Sequence, residues 1–254
     1  MVSRSDNMTA MSVKDRGLSS FALKIIAVVT MLIDHVGYCL FGQVPDAVYQ
    51  TMRIVGRLAM PIFCFMIVEG VVRTSNFKKY LTRLLIFTAL SFVPFRLFSG
   101  ADFSTIFSFG SNSVMVTLTV GALVCRISKY FAERLSRGAY FAVSLALFVL
   151  GGMLCEILDT DYGFYGIMMI ASFYYGREKK WLLIVLSAIC SLVLYPIICS
   201  RPFYNLIQSY CLLALVPILC YNGKRGYSSK FVQYGFYAFY PVHLLLLYLI
   251  FHFI

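Results

Sequence analysis

The chain has 254 residues, of which 60% are hydrophobic and 13% charged, and its mean hydropathy is +0.81. A soluble domain carries about 25% charged residues, so the composition excludes a water-soluble enzyme and indicates an all-α integral membrane protein, with no alternating strand pattern of a barrel. The net charge of +11 does not indicate nucleic acid, because Lys and Arg are scattered through short loops rather than gathered in one module.

Residues 1–19 form a polar arm without the apolar stretch of a signal peptide. From there to residue 254 the apolar runs predict one transmembrane domain of nine spans, at 20–41, 48–72, 79–98, 113–132, 138–157, 162–176, 181–198, 203–221 and 231–253. The sixth opens on Asp159-Thr160-Asp161-Tyr162-Gly163, rich in turn and capping residues, and reads as short or partly re-entrant. The eight cysteines, Cys39, Cys64, Cys125, Cys155, Cys190, Cys199, Cys211 and Cys220, include no C-x-x-C pair. Neither a metal site nor a disulfide framework is expected from them. No internal repeat marks a two-fold transporter.

Charge gives the orientation. Arg4, Lys14 and Arg16; Arg73, Lys78, Lys79 and Arg83; Arg126, Lys129, Arg134 and Arg137; Arg177, Lys179 and Lys180; and Lys224, Arg225 and Lys230 all fall at one set of span ends. Only Arg96 and Arg201 fall at the other. The bias places the N-terminus and the arm in the cytoplasm and the C-terminus outside, in a multi-pass membrane protein.

Three ionisable residues interrupt the first span: Lys24, Asp34 and His35. Ionisable groups inside a membrane helix are costly and point to function. Lys24 and His35 project from one helix face about 16 Å apart, whereas Asp34 is turned about 100° from His35. Asp34 therefore reads as an orienting or charge-balancing group. Arg53 and Arg57 share a face of span two, at and below the depth of His35. Glu69 lies near the depth of Lys24, and His243 near mid-depth in the last span. Each also has a structural reading: Lys24 and Arg53 snorkelling to an interface, Arg57 paired with Asp34 or Glu69, His243 satisfied by backbone. A neutral imidazole moves protons between an amine or hydroxyl and a leaving group. A cation about 16 Å away suits the phosphates of a nucleotide-linked thioester, and Arg53 and Arg57 suit a carboxylate or a developing oxyanion.

The Lys24-x10-His35 spacing resembles the basic-x10-His pattern of the transmembrane acyltransferase (acyltransferase-three-like) superfamily. More specifically, the chain resembles the TraX family. The matching stretches are Leu23-Lys24 with Ile33-Asp34-His35-Val36-Gly37, the block from Arg53-Ile54-Val55-Gly56-Arg57 through Pro61 to Glu69-Gly70, Lys79-Tyr80 with Arg83, Asn112 through Thr117-Leu118, Asp161-Tyr162-Gly163 with Gly166, and Phe239-Tyr240-Pro241-Val242-His243. The basic position is Lys24, where Arg is common in the wider superfamily, and Lys lacks a bidentate fork.

The resemblance implies that residues 20–254 are a transmembrane acyltransferase-like domain using acetyl-CoA as donor. His35 is then catalytic with Asp34, Lys24, Arg53 and Arg57 serve the donor, and Glu69, Asn112, Asp161, Tyr162, Tyr240 and His243 complete the site. The resemblance does not carry the acceptor with it: a peptide N-terminus, pilin-like or otherwise, an amino sugar of an exported glycan and a hydroxyl all fit, and membrane lipids and a second copy of the chain are the other partners to expect. Direct transfer and an acetyl-histidine intermediate both remain open. The alternative is a transporter or channel using the polar column as an ion or proton path.

Overall fold

The structure, a computed structural model, describes residues 17–102, 104–108, 110–198 and 202–253. The arm's Arg4, Lys14 and Arg16, together with Cys199 and Arg201, lie outside the described residues. The described residues are helical, with two isolated backbone bridges and no strand.

Helix α1 (Ser20–Cys39) begins where the Ser19 hydroxyl accepts from the Ala22 amide, satisfying an otherwise orphaned donor. The second apolar run, expected as one helix over 48–72, is two: α2 (Asp46–Gly56) and α3 (Ala59–Arg73). Pro61 has no N–H for the carbonyl of Arg57 four residues earlier, and the chain breaks at Arg57–Leu58. Helix α4 (Phe77–Phe98) starts at an Asn76 cap. There follow α5 (Val114–Ala132), α6 (Arg137–Ile157), α7 (Gly163–Gly176) and α8 (Lys180–Ile198), the last with a π-helical turn at Cys190–Leu194. Helix α9 is built of three pieces, Pro202–Ser209, a 3-10 stretch Tyr210–Ala214, and Leu215–Leu219. Helix α10 is Lys230–Phe253.

Seven of these are long and apolar enough to cross a membrane, counting α2 and α3 as the single 28-residue run Asp46–Arg73. The runs expected at 162–176 and 203–221 are shorter: α7 has 14 residues, and the apolar part of α9 is Leu206–Leu219. Fourteen residues of helix reach about 21 Å, less than a bilayer core of about 30 Å.

Hydrogen bonds define two ends of the bundle. At the first, the amides of Leu18, Ser20 and Phe21 donate to the carbonyls of Cys220, Lys224 and Arg225 at 2.8–3.1 Å, and Glu69 pairs with Arg73 and with Arg177. At the second, the Asn112 amide donates to the Asp159 carbonyl and the Asp161 amide to the Asn112 carbonyl, both at 2.7 Å. Arg96 lies at this end too. It is buried and donates to the carbonyls of Thr105, Ser108 and Gly110, so it organises the α4–α5 connection.

Helix α7 begins at the second end and finishes beside Arg177 at the first. It is buried among α3, α5, α6 and α8. Glycine permits this close fit: a Cβ on Gly166 would meet the Thr117 Cγ2 at 2.7 Å, and one on Gly121 of α5 would meet the Ile170 Cδ1 at 2.2 Å. Leu85, Leu90, Phe141, Leu150, Val185 and Ile189 point outward from α4, α6 and α8 as an apolar surface. Helix α10 packs on α4 and α1, which brings the end of the chain back to its beginning.

Candidate functional site

The described residues enclose two adjoining cavities inside the bundle. The larger, about 520 Å³, opens towards the first end, and the smaller, about 320 Å³, lies towards the second. Met31, Phe63, Val114 and Tyr240 line both, so the cavities abut at a waist of four side chains from α1, α3, α5 and α10.

The small cavity is built around Asp34. The Arg57 Nη2 donates to both Asp34 oxygens, at 2.6 and 2.7 Å. The Arg53 Nη1 lies 3.2 Å from the Asp34 Oδ1 and donates to the Asp34 carbonyl at 3.3 Å. All three side chains are nearly buried, with 11–14% exposure. Arg57 also donates to the Tyr162 hydroxyl and the Gln208 Oε1, each at 3.3 Å. The Tyr162 backbone is left-handed (φ 65°), an uncommon conformation for a residue with a Cβ, and it caps α7 from this position. Asp161 lines the same cavity, and no ion pair to it forms among the described residues. One carboxylate thus receives two guanidinium groups in a low-dielectric site.

His35 borders this cavity next to Phe98. Its Nδ1 lies 2.7 Å from the Nε2 of His243, whose own Nδ1 lies 2.7 Å from the carbonyl of Phe239. The two imidazole centroids are 4.9 Å apart with planes 12° apart. That separation is the hydrogen-bond length plus the two ring radii, so the rings meet edge to edge with the bond in their common plane. His243 is 4% exposed.

The large cavity is lined by Lys24, Arg73, Lys79, Arg83 and Arg225, with Glu69 as the carboxylate among them. Glu69 is committed to Arg73 and to Arg177, the latter at 2.7 Å. Lys24, Lys79, Arg83 and Arg225 form no ion pair among the described residues. The Nε of Arg83 is buried without a hydrogen-bond partner, and the Lys24 Nζ lies 5.6 Å from the Phe236 ring centroid. Clustered cations without counter-charge repel one another, so this cavity is suited to a multiply charged anion.

The expected site residues separate accordingly. Lys24 and Glu69 line the large cavity; Asp34, His35, Arg53, Arg57, Asp161 and Tyr162 line the small one; Tyr240 stands at the waist. Arg53 and Arg57, expected on the donor with Lys24, lie across the waist beside His35. Asp34, expected to orient His35 or balance charge, receives Arg53 and Arg57, and the partner of His35 is His243. Asn112 lines neither cavity: its Nδ2 donates to the Leu158 carbonyl at 2.6 Å and ties two connections together. The sequence reading omitted Gln208 from the small cavity and Arg83 and Arg225 from the large one. A glutamine inside the apolar run 203–221 is signalled by the same cost that singled out His35. In sequence the two arginines have the signature of topology signals.

The TraX protein family model matches residues 19–251, which takes in both cavities. A probable fimbrial assembly protein FimC, serogroup H1, of Dichelobacter nodosus is 31% identical over 246 residues, spanning 90% of this chain and 94% of that one. An uncharacterized protein, RP591, of Rickettsia prowazekii (strain Madrid E) is 24% identical over 202 residues, spanning 79% and 68%. No solved structure matches the chain.

Proposed function

Because the chain belongs to the TraX family, we propose that it is an integral-membrane acetyltransferase of the transmembrane acyltransferase superfamily. In this reading it moves an acetyl group from cytoplasmic acetyl-CoA to an amine or hydroxyl of an exported or membrane-associated acceptor, such as a pilin-like peptide N-terminus or a glycan amino sugar. One observation carries the reading. A cavity with cations in excess meets, at a waist of four side chains, a second cavity bordered by the imidazole of His35.

Lys24, Arg83 and Arg225 would hold the donor's phosphates, which fits an excess of positive charge without carboxylate partners. The thin arm of the donor would pass Met31, Phe63, Val114 and Tyr240 and bring its thioester to His35. His35 takes the proton of the acceptor N–H or O–H as that atom bonds to the thioester carbonyl carbon. It then gives the proton to the sulfur as the C–S bond breaks, and acetylated acceptor and CoA thiol are released. Arg53 and Arg57, held on Asp34, would face the negative charge that develops on the thioester oxygen.

The proposed topology has nine crossings of a bacterial plasma membrane with the first end cytoplasmic. Its support is the charge bias, together with the run of α7 from the connection holding Thr160 to the side of Arg177. The test is transfer of labelled acetyl from acetyl-CoA to exported peptides and glycans by the purified protein in proteoliposomes, read by mass spectrometry. Transfer that is lost in His35→Ala, with the variant still folded, is expected. Transfer unchanged by that substitution, or ion flux in the absence of acetyl-CoA, overturns the reading.

A further inference from the structure

His35 has two ring nitrogens, and the hydrogen-bond chain behind it decides which one meets the substrate. The Phe239 carbonyl only accepts, so its 2.7 Å bond to His243 requires the proton on the His243 Nδ1. In neutral His243 the Nε2 then carries a lone pair. The 2.7 Å contact of that nitrogen with the His35 Nδ1 puts the His35 proton on Nδ1. The His35 Nε2 is left unprotonated. Phe239 lies against the His243 ring at 4.7 Å between centroids and Phe98 against His35 at 5.2 Å, which hinders rotation of either ring. Asp34 takes no part in this chain, since both of its oxygens accept from Arg57 and Oδ1 also pairs with Arg53.

We propose that His243 is the positioning residue of the site: it fixes the tautomer of His35 and so makes the Nε2 of His35 the proton-accepting atom. The assignment rests on His35 being the reacting group proposed above. When Nε2 takes the acceptor's proton, the His35 imidazolium keeps its Nδ1–H bond to a neutral lone pair instead of to a carboxylate. It therefore gives the proton up readily to the departing sulfur, and both rings return to their starting state.

The chain contains three histidines, so ¹⁵N-histidine labelling of the purified protein resolves every ring, with His252→Gln removing the third. The expected spectrum shows His35 and His243 each protonated on Nδ1 alone, and His243→Leu releases His35 to a mixture of tautomers. In transfer assays His243→Leu is expected to lower kcat about 100-fold with an unchanged KM for acetyl-CoA. In His243→Gln the side-chain Oε1 accepts in place of Nε2, and at least tenfold of that loss is expected to return. A His35 ring protonated on Nε2, a doubly protonated ring at either position, or equal activity of the Leu and Gln variants of a wild type that transfers acetyl overturns the assignment. The spectrum does not depend on turnover, so absence of transfer by the wild type would remove the proposed reaction and leave the tautomer result standing.

Discussion

A Cβ placed on Gly56 would lie 2.2 Å from the Cβ of Asp34. Helices α1 and α2 therefore touch at the residue that carries the buried carboxylate, and the contact leaves no room for a methyl group. Gly56→Ala is expected to push the helices apart and cost about 1–3 kcal/mol, as overpacking does. A lowered unfolding midpoint of the purified protein in detergent checks this, and an unchanged midpoint contradicts it.

Removing the charge at Asp34 leaves Arg53 and Arg57 buried with no counter-charge in contact. Asp34→Asn is expected to destabilise by about 3–5 kcal/mol, the usual result of breaking one side of a buried pair. Asp34→Leu combined with Arg57→Met removes the pair as a unit and is expected to cost less than the two single substitutions added together. Denaturant titration of the four proteins measures the coupling. Additive costs would show that the pair is not a unit.

The large cavity is predicted to bind its ligand by charge. Arg83→Ala and Arg225→Ala remove cations with no carboxylate partner, so little stability is lost with them. Each is expected to weaken acetyl-CoA binding about 10- to 100-fold, the value of a charge-assisted hydrogen bond of about 1.5–3 kcal/mol. Calorimetric titration at two salt concentrations tests this. Binding unaffected by both substitutions would place the ligand elsewhere.

Orientation is testable at two exposed positions. Cys220 stands at the first end, and Phe107 is 81% exposed in the connection organised by Arg96. In variants lacking the other cysteines, a membrane-impermeant maleimide added to intact cells is expected to label Phe107→Cys and to label Cys220 only after permeabilisation. The reverse pattern would invert the topology.

Much of this was legible in the sequence because polar atoms in an apolar run are conspicuous. Lys24, Asp34, His35, Arg57 and His243 stood out for that reason, and all of them line a cavity or touch a residue that does. The break at Arg57–Leu58 was carried by Pro61, whose missing N–H acts four residues away. The role of Asp34 was divided between orienting His35 and balancing charge. Neighbours in a helix diverge by about 100°, and packing gave the carboxylate to the arginines of α2 and its C-terminal junction. Arg83 and Arg225 look in sequence like interfacial charges, because a cation at a lipid boundary and one at a cavity mouth have the same local neighbours. The length of α9 was hidden too, since a short helix buried in protein and a full span are equally apolar, whereas the turn residues Asp159 to Gly163 mark α7 as short.

The bond between His35 and His243 spans 208 positions of sequence and joins α1 to α10. Residue 35 enters the membrane early in synthesis, and its hydrogen-bond partner is made near the end. The same holds at the first end, where the amides of Leu18, Ser20 and Phe21 are satisfied by residues 220–225. Contacts of such long range form last, after the intervening loops have closed. A chain halted before α10 therefore has its histidine, its arginines and part of its cavity, but nothing to set the proton on the ring. Insertion of the final helix completes both the fold and the proposed site, so on that reading a partly made chain in the membrane is chemically silent.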